Sequence, residues 1–80
     1  MRLDKFLKES RLIKRRTVAK EACERGRILQ NGRVAKAGSE VKPGDVLELS
    51  FGARKLKVRV ESIMEHVGKD KAREMYNIIE

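Results

Sequence analysis

The sequence is poor in the residues from which active sites, disulfides and base-stacking surfaces are built. It has one cysteine, Cys23, and one histidine, His66, and its aromatic residues are Phe6, Phe51 and Tyr76. A lone cysteine excludes an internal disulfide, and no Cys/His cluster has the spacing of metal ligands. Three aromatic side chains are too few for a platform on which single-stranded bases stack. We therefore expect no catalytic residues, no metal and no cofactor.

Long apolar runs are also missing. No window approaches the roughly 20 apolar residues that a membrane-spanning helix needs, and the N-terminal residues alternate in charge where a signal peptide would be apolar. A single unpaired cysteine is typical of a reducing compartment. These features predict a cytoplasmic protein without a membrane span, and the length of 80 residues predicts one small domain with a thin core.

What the sequence has in excess is positive charge in its first half. Lysine and arginine total 20 against 12 acidic residues, which gives a net charge of +8. Residues 1–36 hold 12 basic and 4 acidic side chains and carry the whole surplus, because residues 37–80 hold 8 of each. Such an asymmetry attracts polyanions. Nucleic acid is the first partner class to consider, and an acidic membrane surface is the second.

Hydrophobic spacing predicts two short helices at the N-terminus. The inward positions of the first helix recur every three or four residues, at Leu3, Phe6, Leu7 and Ser10. Its charged residues are expected to face water and to balance one another, and these are Asp4, Lys5, Lys8 and Glu9. The second helix is predicted from about Arg15 to Arg25, with an apolar arc formed by Val18, Ala19, Ala22 and Cys23. Gly26 is placed to end this helix in the left-handed conformation.

The period changes from helical to alternating after Gly26, which predicts a small, mostly antiparallel sheet. Asn31-Gly32 is a strong hairpin signal, and Pro43-Gly44-Asp45 marks a second turn. Strands are predicted from Val46 to Phe51 and over the alternating positions Leu56, Val58 and Val60, with Ile63 as a possible extension. One or two helical turns are predicted from about Asp70 to Tyr76.

These elements define an α+β fold class. Two short N-terminal helices pack on a small, mostly antiparallel sheet, because helices this short do not persist alone, and a short C-terminal helix or tail follows. We expect residues 1–62 to form the domain and residues 63–80 to form a tail that packs on it or extends from it.

Lys14-Arg15-Arg16-Thr17 stands at the entry to the second helix. Cations are mildly unfavourable beside the positive end of a helix dipole, so three in succession favour an external phosphate at this position. Arginine presents a planar fork that suits phosphate, and Arg2 and Arg11 flank the first helix. The predicted RNA-binding residues are Arg2, Arg11, Lys14, Arg15, Arg16 and Lys20. A solvated charge run without a ligand is the alternative.

The helix pair is also compatible with a DNA-reading helix-turn-helix. Its second helix, however, has no Asn or Gln to read base edges, and a basic helix end suits the phosphate and shape contacts by which structured RNA is recognised. A DNA-binding regulator and an adaptor for an acidic protein remain alternatives.

Several blocks of the sequence resemble the RNA-binding domain named after ribosomal small-subunit protein four. They are Arg2-Leu3-Asp4-Lys5-Phe6-Leu7, Lys14-Arg15-Arg16-Thr17-Val18-Ala19-Lys20, Gly26-Arg27-Ile28, Asn31-Gly32 with Val34, and Val41-Lys42-Pro43-Gly44-Asp45. The resemblance covers residues 1 to about 60 and keeps the order and spacing of the blocks. It implies the helix–helix–sheet fold, with the helix pair (the alpha-L RNA-binding motif) as the RNA surface.

Three further blocks are similar to members of this family that act in bacterial ribosome-associated quality control: Met1-Arg2-Leu3-Asp4-Lys5, Ile13-Lys14-Arg15-Arg16 and Met75-Tyr76-Asn77-Ile78. This resemblance implies a ribosome-associated protein, and we expect it to be a cytoplasmic, non-catalytic monomer. It would bind the obstructed large ribosomal subunit, contact ribosomal RNA and the peptidyl-site tRNA, and support alanine tailing by an RqcH-type partner. Arg2, Arg11, Arg15 and Arg16 would contact RNA, with Lys14 and Lys20 as supports. A heat-shock-type RNA-binding protein that recycles blocked large subunits is the alternative.

Overall fold

The computed structural model describes residues 1–79 and begins with two helices that pack against each other. Helix α1 is Leu3–Glu9 and helix α2 is Arg16–Glu24. The first N–H groups of a helix lack partners within it, and in α1 they donate to a loop. The Leu3 N–H reaches the Ser39 carbonyl at 2.8 Å and the Asp4 N–H reaches the Ala37 carbonyl at 3.1 Å. These bonds fix the start of α1 against the loop.

The inward positions predicted for α1 are confirmed, since Leu3, Phe6 and Leu7 are fully buried. In α2 the buried residues are Ala19, Ala22 and Cys23. The prediction for Val18 is wrong, because this residue is 48% exposed. It lies at one edge of the predicted arc, about 70° from its centre at 100° per residue, and the buried side of α2 is narrower than that arc.

Gly26 ends α2 in the predicted left-handed conformation, with φ at +72°. Its N–H donates to the Cys23 carbonyl at 3.0 Å, and the next N–H, of Arg27, donates to the Ala22 carbonyl at 3.0 Å. These bonds satisfy two carbonyls that the helix itself leaves free. The turn sends the chain directly into the sheet.

The described residues form a five-stranded sheet in the order β2-β1-β3-β4-β5 with every neighbouring pair antiparallel. The strands are β1 Ile28–Gln30, β2 Arg33–Val34, β3 Val46–Phe51, β4 Arg54–Val60 and β5 Tyr76–Ile78. The α+β fold class predicted from the sequence is therefore confirmed.

Both predicted turns are present. Asn31 and Gly32 join β1 to β2 with φ values of +53° and +84°, as a tight hairpin of the primed type requires. Gly44 has φ at +96° in the turn before β3. The Asp45 carboxylate accepts hydrogen bonds from Gln30 Nε2 at 2.9 Å and from Asn31 Nδ2 at 3.1 Å. It thereby joins the two turns.

The structure differs from the sequence prediction after β4. That strand ends at Val60, so Ile63 lies outside it. Helix α3 covers Lys69–Ala72, a 3-10 turn covers Arg73–Met75, and Tyr76 already belongs to β5. The prediction of one or two helical turns from about Asp70 is therefore confirmed up to Met75 and wrong for Tyr76. The predicted tail extends to residue 80, which lies outside the described residues.

One hydrophobic cluster joins the helices to the sheet. Phe6 and Leu7 of α1 lie in it with Leu47 and Val58 of the central strands, and Met75 adds a fully buried side chain from the C-terminal segment. Because α1 and α2 bury one side in this cluster, the basic residues Lys8, Arg16 and Lys20 are left exposed on the other side.

Candidate nucleic-acid interface

The six cations predicted to bind RNA are all exposed and all lie on the helix pair or its connection. Arg2 immediately precedes α1, Arg11 and Lys14 lie between the helices, Arg15 precedes α2, and Arg16 and Lys20 belong to α2. The structure brings two of them, Arg2 and Arg16, into contact with one acidic residue.

That residue is Asp4, which is only 3% exposed. Arg2 Nε donates to Asp4 Oδ1 at 3.2 Å, and Arg16 Nε donates to Asp4 Oδ2 at 3.3 Å. We call Arg2, Asp4 and Arg16 the arginine clamp. It joins the start of α1 to the start of α2, so two guanidinium groups that lie 14 residues apart in the sequence meet on one surface.

The clamp leaves most of each guanidinium group available. The Arg2 and Arg16 side chains remain 54% and 47% exposed, and a guanidinium group has five N–H donors, of which Nε supplies one. Arg2 also lies over a residue without a side chain, since a Cβ at Gly38 would be 3.7 Å from Arg2 Cζ. Since about half of each side chain is open to solvent, a phosphate has access to both guanidinium groups.

The electrostatics of the clamp keep Asp4 ionised. Burial raises its pKa, but the hydrogen bonds and positive charges of Arg16 and Arg2 outweigh burial and hold the pKa of this carboxyl below its usual value of 3.8. At neutral pH the clamp is therefore two cations around one anion, with a net charge of +1.

The prediction that Asp4 and Glu9 are surface charges is wrong for both residues. Glu9 is 7% exposed, and its carboxylate accepts hydrogen bonds from the His66 backbone N–H at 2.8 Å and from Lys8 Nζ at 3.1 Å. These contacts, led by the one from the His66 backbone, hold the pKa of Glu9 below its usual value despite burial. Glu9 thus joins α1 to the C-terminal segment.

A signal for both acids is present in the sequence. At 100° per residue, Asp4 and Glu9 lie about 60° beyond opposite edges of the apolar arc of α1. Residues at such an edge are partly covered when the helix packs against neighbouring segments, and an acid there needs a cationic or N–H partner. Which partner covers each edge depends on α2 and on the segment around His66, neither of which a helical projection contains.

The other four predicted cations do not join the clamp. Within residues 1–79, Arg11, Lys14, Arg15 and Lys20 form no ion pair. Lys20 lies one turn after Arg16 on α2, which places it on the same edge of the helix.

Other candidate chemistry is weak in the described part of the chain. Cys23 is buried, and burial, with the charges of Asp4 and Glu24, raises the pKa of its thiol to about 11, so the thiol stays protonated. Within residues 1–79, no three His, Cys, Asp or Glu side chains are grouped to hold a metal ion. No helix in that range has both the length and the apolar character needed to cross a membrane.

The fold and the helix pair place this chain in a known class. The S4 domain family matches residues 1–47, a range that includes both N-terminal helices and the first hairpin. The protein is thus an S4-domain protein, in agreement with the resemblance seen in the sequence. The structure of heat shock protein 15 from Vibrio cholerae, solved as a trimer, is similar with a TM-score of 0.90 and 30% identity, covering 98% of this chain and 80% of that one.

Sequence similarity over nearly the whole chain assigns the protein to a narrower group within this class. The RQC P-site tRNA stabilizing factor of Halalkalibacterium halodurans is 56% identical over 78 residues, covering 98% of this chain and 89% of that protein. The Bacillus subtilis protein of the same name is 54% identical over 79 residues, covering 99% of this chain and 92% of that protein. The chain belongs to the family of RQC P-site tRNA stabilizing factors.

Proposed function

We propose that this protein is a non-enzymatic RNA-binding factor of ribosome-associated quality control, acting in the cytoplasm as a monomer. It binds a large ribosomal subunit obstructed by a nascent chain, contacts ribosomal RNA and the peptidyl-site tRNA, and supports alanine tailing by an RqcH-type partner. Family membership supports this proposal, because the names of its relatives in Halalkalibacterium halodurans and Bacillus subtilis refer to this quality-control process and to the P-site tRNA.

The observation that carries the proposal is the arginine clamp. Two guanidinium groups are fixed by one buried carboxylate, and about half of each side chain is still exposed to solvent. Such a pair suits phosphate oxygens, which arginine binds with two parallel hydrogen bonds. Because the clamp lies on the exposed side of the helix pair, an RNA backbone has access to it without any rearrangement of the core.

The remaining predicted cations extend the clamp into a broader surface. Arg11, Lys14, Arg15 and Lys20 add four exposed positive charges along the connection and along α2. Contacts of this kind position an RNA by its phosphates and shape rather than by its sequence. In this proposal the positive surface lies between ribosomal RNA and tRNA, and it holds the tRNA in place while the tailing partner delivers alanyl-tRNA.

Arg16→Ala tests the assignment of the RNA surface. The variant should fold, because its side chain is about half exposed, but it should co-sediment less with large subunits that carry peptidyl-tRNA. Arg54→Ala is the matched control, since it removes an exposed arginine from the start of β4. Undiminished co-sedimentation of Arg16→Ala would contradict the clamp as the RNA-binding site.

A role in recycling blocked large subunits is the second candidate, favoured by the structural similarity to heat shock protein 15. A reconstituted reaction with the RqcH-type partner separates the two. The proposed function requires the protein to increase alanine addition to the stalled chain, whereas recycling requires it to increase release of that chain with alanine addition unchanged.

A further inference from the structure

A cleft of about 530 Å³ lies beside the C-terminal end of α1. Four cationic side chains line it, and these are Lys8, Arg11, Lys14 and Lys69. Glu9, His66 and Val67 complete the lining, and none of the three clamp residues contributes to it. Its volume falls within the range of about 300–1,000 Å³ that is typical of small-ligand pockets.

The negative charge of Glu9, the acidic residue of this cleft, is already balanced by contacts within the protein. Glu9 accepts a hydrogen bond from the His66 backbone N–H at 2.8 Å and from Lys8 Nζ at 3.1 Å. These two contacts use both of its carboxylate oxygens, and its side chain is only 6% exposed. Glu9 therefore shapes the cleft and compensates Lys8, but it leaves the other cations uncompensated.

Those cations are three exposed side chains from two parts of the chain. Arg11, Lys14 and Lys69 form no ion pair within residues 1–79. The backbone of Arg11 is left-handed, with φ at +65°, and its N–H donates to the Lys8 carbonyl at 3.0 Å. Three unpaired cations around one concave surface favour an anion carrying more than one charge.

An aromatic ring and an apolar side chain lie in the same cleft. The His66 imidazole is 83% exposed, while its backbone is fixed by the hydrogen bond to Glu9 and has φ at +53°. Val67 next to it is half-buried and packs against the hydrophobic core. Nucleobases freed from a helix stack on aromatic and histidine side chains in this way.

We propose that this cleft binds a single unstacked nucleotide of an RNA. The two phosphates that flank it in the RNA chain, each with one negative charge, contact Arg11, Lys14 and Lys69, and its base lies against the His66 ring and Val67. The inference rests on the proposed function only in that the ligand is part of an RNA. It adds that the bound RNA presents a bulged or looped-out nucleotide at this point, since bases within a duplex are stacked and have no access to the cleft.

A titration of the full chain with adenosine 5′-monophosphate tests the cleft directly. Amide resonances of residues 8–14 and 66–69 should shift with the nucleotide, and inorganic phosphate should bind at least tenfold more weakly because it lacks the base. Equal affinity for phosphate would overturn the proposal, since the cleft would then be a site for a simple anion. The absence of shifts in these two segments would overturn it as well.

A second test compares an RNA hairpin carrying one bulged nucleotide with the same hairpin fully paired. The wild-type protein should prefer the bulged RNA by about tenfold, as expected from the stacking of one base. His66→Asn should abolish this preference without unfolding the chain, because asparagine tolerates a positive φ and the contact to Glu9 uses the backbone. Persistence of the preference in His66→Asn would overturn the role of the ring.

Charge variants separate the cleft from the clamp. Lys69→Gln should weaken binding of the bulged hairpin more than the control Lys55→Gln, which removes an exposed lysine outside the cleft. Equal effects of the two variants would overturn the phosphate assignment. Arg16→Ala should weaken binding of both hairpins equally and leave the preference for the bulged hairpin unchanged. If the wild-type protein shows no preference but Arg16→Ala still weakens binding, the cleft is contradicted. If the preference is present but Arg16→Ala does not weaken binding, the proposed function is contradicted.

Discussion

Both carboxylate oxygens of Asp4 are occupied in this fold. Oδ1 accepts from Arg2 at 3.2 Å and from the Lys5 backbone N–H at 2.9 Å, while Oδ2 accepts from Arg16 at 3.3 Å. At the scale of single residues, the role of this acid in a strongly basic segment is to fix the positions of two arginines, and its effect on the net charge is secondary. Its removal should affect both stability and RNA binding.

Asp4→Asn keeps the shape of the side chain but removes its charge. We expect the free energy of unfolding to fall by about 1.5–3 kcal/mol, the usual contribution of a hydrogen bond to a charged group, and RNA affinity to fall because Arg2 and Arg16 lose their fixed positions. Urea denaturation and RNA titration measure the two effects. Glu61→Gln is the control, since it removes an acid from an exposed pair with Arg59, which is worth little; an equal effect of both variants would contradict the special role of Asp4.

Acid should weaken the fold through the same contacts. Folding lowers the pKa of Asp4 and of Glu9 below their ordinary values of 3.8 and 4.5. The ionised carboxylates therefore stabilise the native state above these ordinary values, and this contribution is lost as the pH falls through the lower native-state pKa values. Urea denaturation at pH 7, 4 and 3 should show a steeper loss for the wild type than for Asp4→Asn/Glu9→Gln. Parallel pH profiles would show that the two carboxylates are not coupled to folding.

The exposed cations were predictable from the sequence, whereas their carboxylate partners were not. Lys14 to Arg16 stand in one run, and a hydrophilic run at a helix start stays in water because its apolar neighbours supply the buried side. The environments of Asp4 and Glu9 were predicted wrongly because each has a partner from a distant part of the chain, in addition to the neighbours Arg2 and Lys8. Arg16 is 12 residues away from Asp4, and His66 is 57 residues away from Glu9.

At the scale of elements, the junction between α2 and β1 depends on the backbone of Gly26. Gly26→Ala should lower the free energy of unfolding by about 1–2 kcal/mol, because a residue with a Cβ is strained at positive φ. The added Cβ itself meets only Val34 Cγ1 at 3.9 Å, an ordinary contact. Gly26→Asn adds a Cβ at the same place but tolerates the conformation better. Equal destabilisation by alanine and asparagine, measured by thermal or urea unfolding, would point to crowding instead of backbone strain.

The helices, the first hairpin and the strands β3 and β4 follow from local sequence signals, whereas β5 does not. The strand consists of three residues, Tyr76-Asn77-Ile78, which are too few to show an alternating apolar and polar pattern. It forms because Tyr76 pairs with Val60 and Ile78 pairs with Val58, and because Met75, just before it, is buried in the core. Contacts of this kind depend on the position of β4, and a local pattern does not contain that information.

At the scale of the whole molecule, the charge surplus of residues 1–36 predicts strongly salt-dependent binding. If about six phosphates are contacted, RNA affinity should fall by roughly a thousandfold between 50 and 200 mM salt. Arg16→Ala should reduce the slope of log affinity against log salt by about one, while Arg54→Ala should leave it unchanged. A binding constant that is insensitive to salt would contradict a phosphate-dominated surface.

The contact of Arg2 and Arg16 with Asp4 has a consequence for how an RNA docks. A long arginine side chain loses up to about 2 kcal/mol of rotamer freedom when it is immobilised, and here much of that loss accompanies folding rather than docking. The surface is in this sense rigid before the RNA arrives, which favours tight binding for a given number of contacts. Any change of shape on binding then has to occur in the RNA. RNAs whose phosphates already match the separation of the two arginine side chains should therefore bind more tightly than RNAs that have to deform.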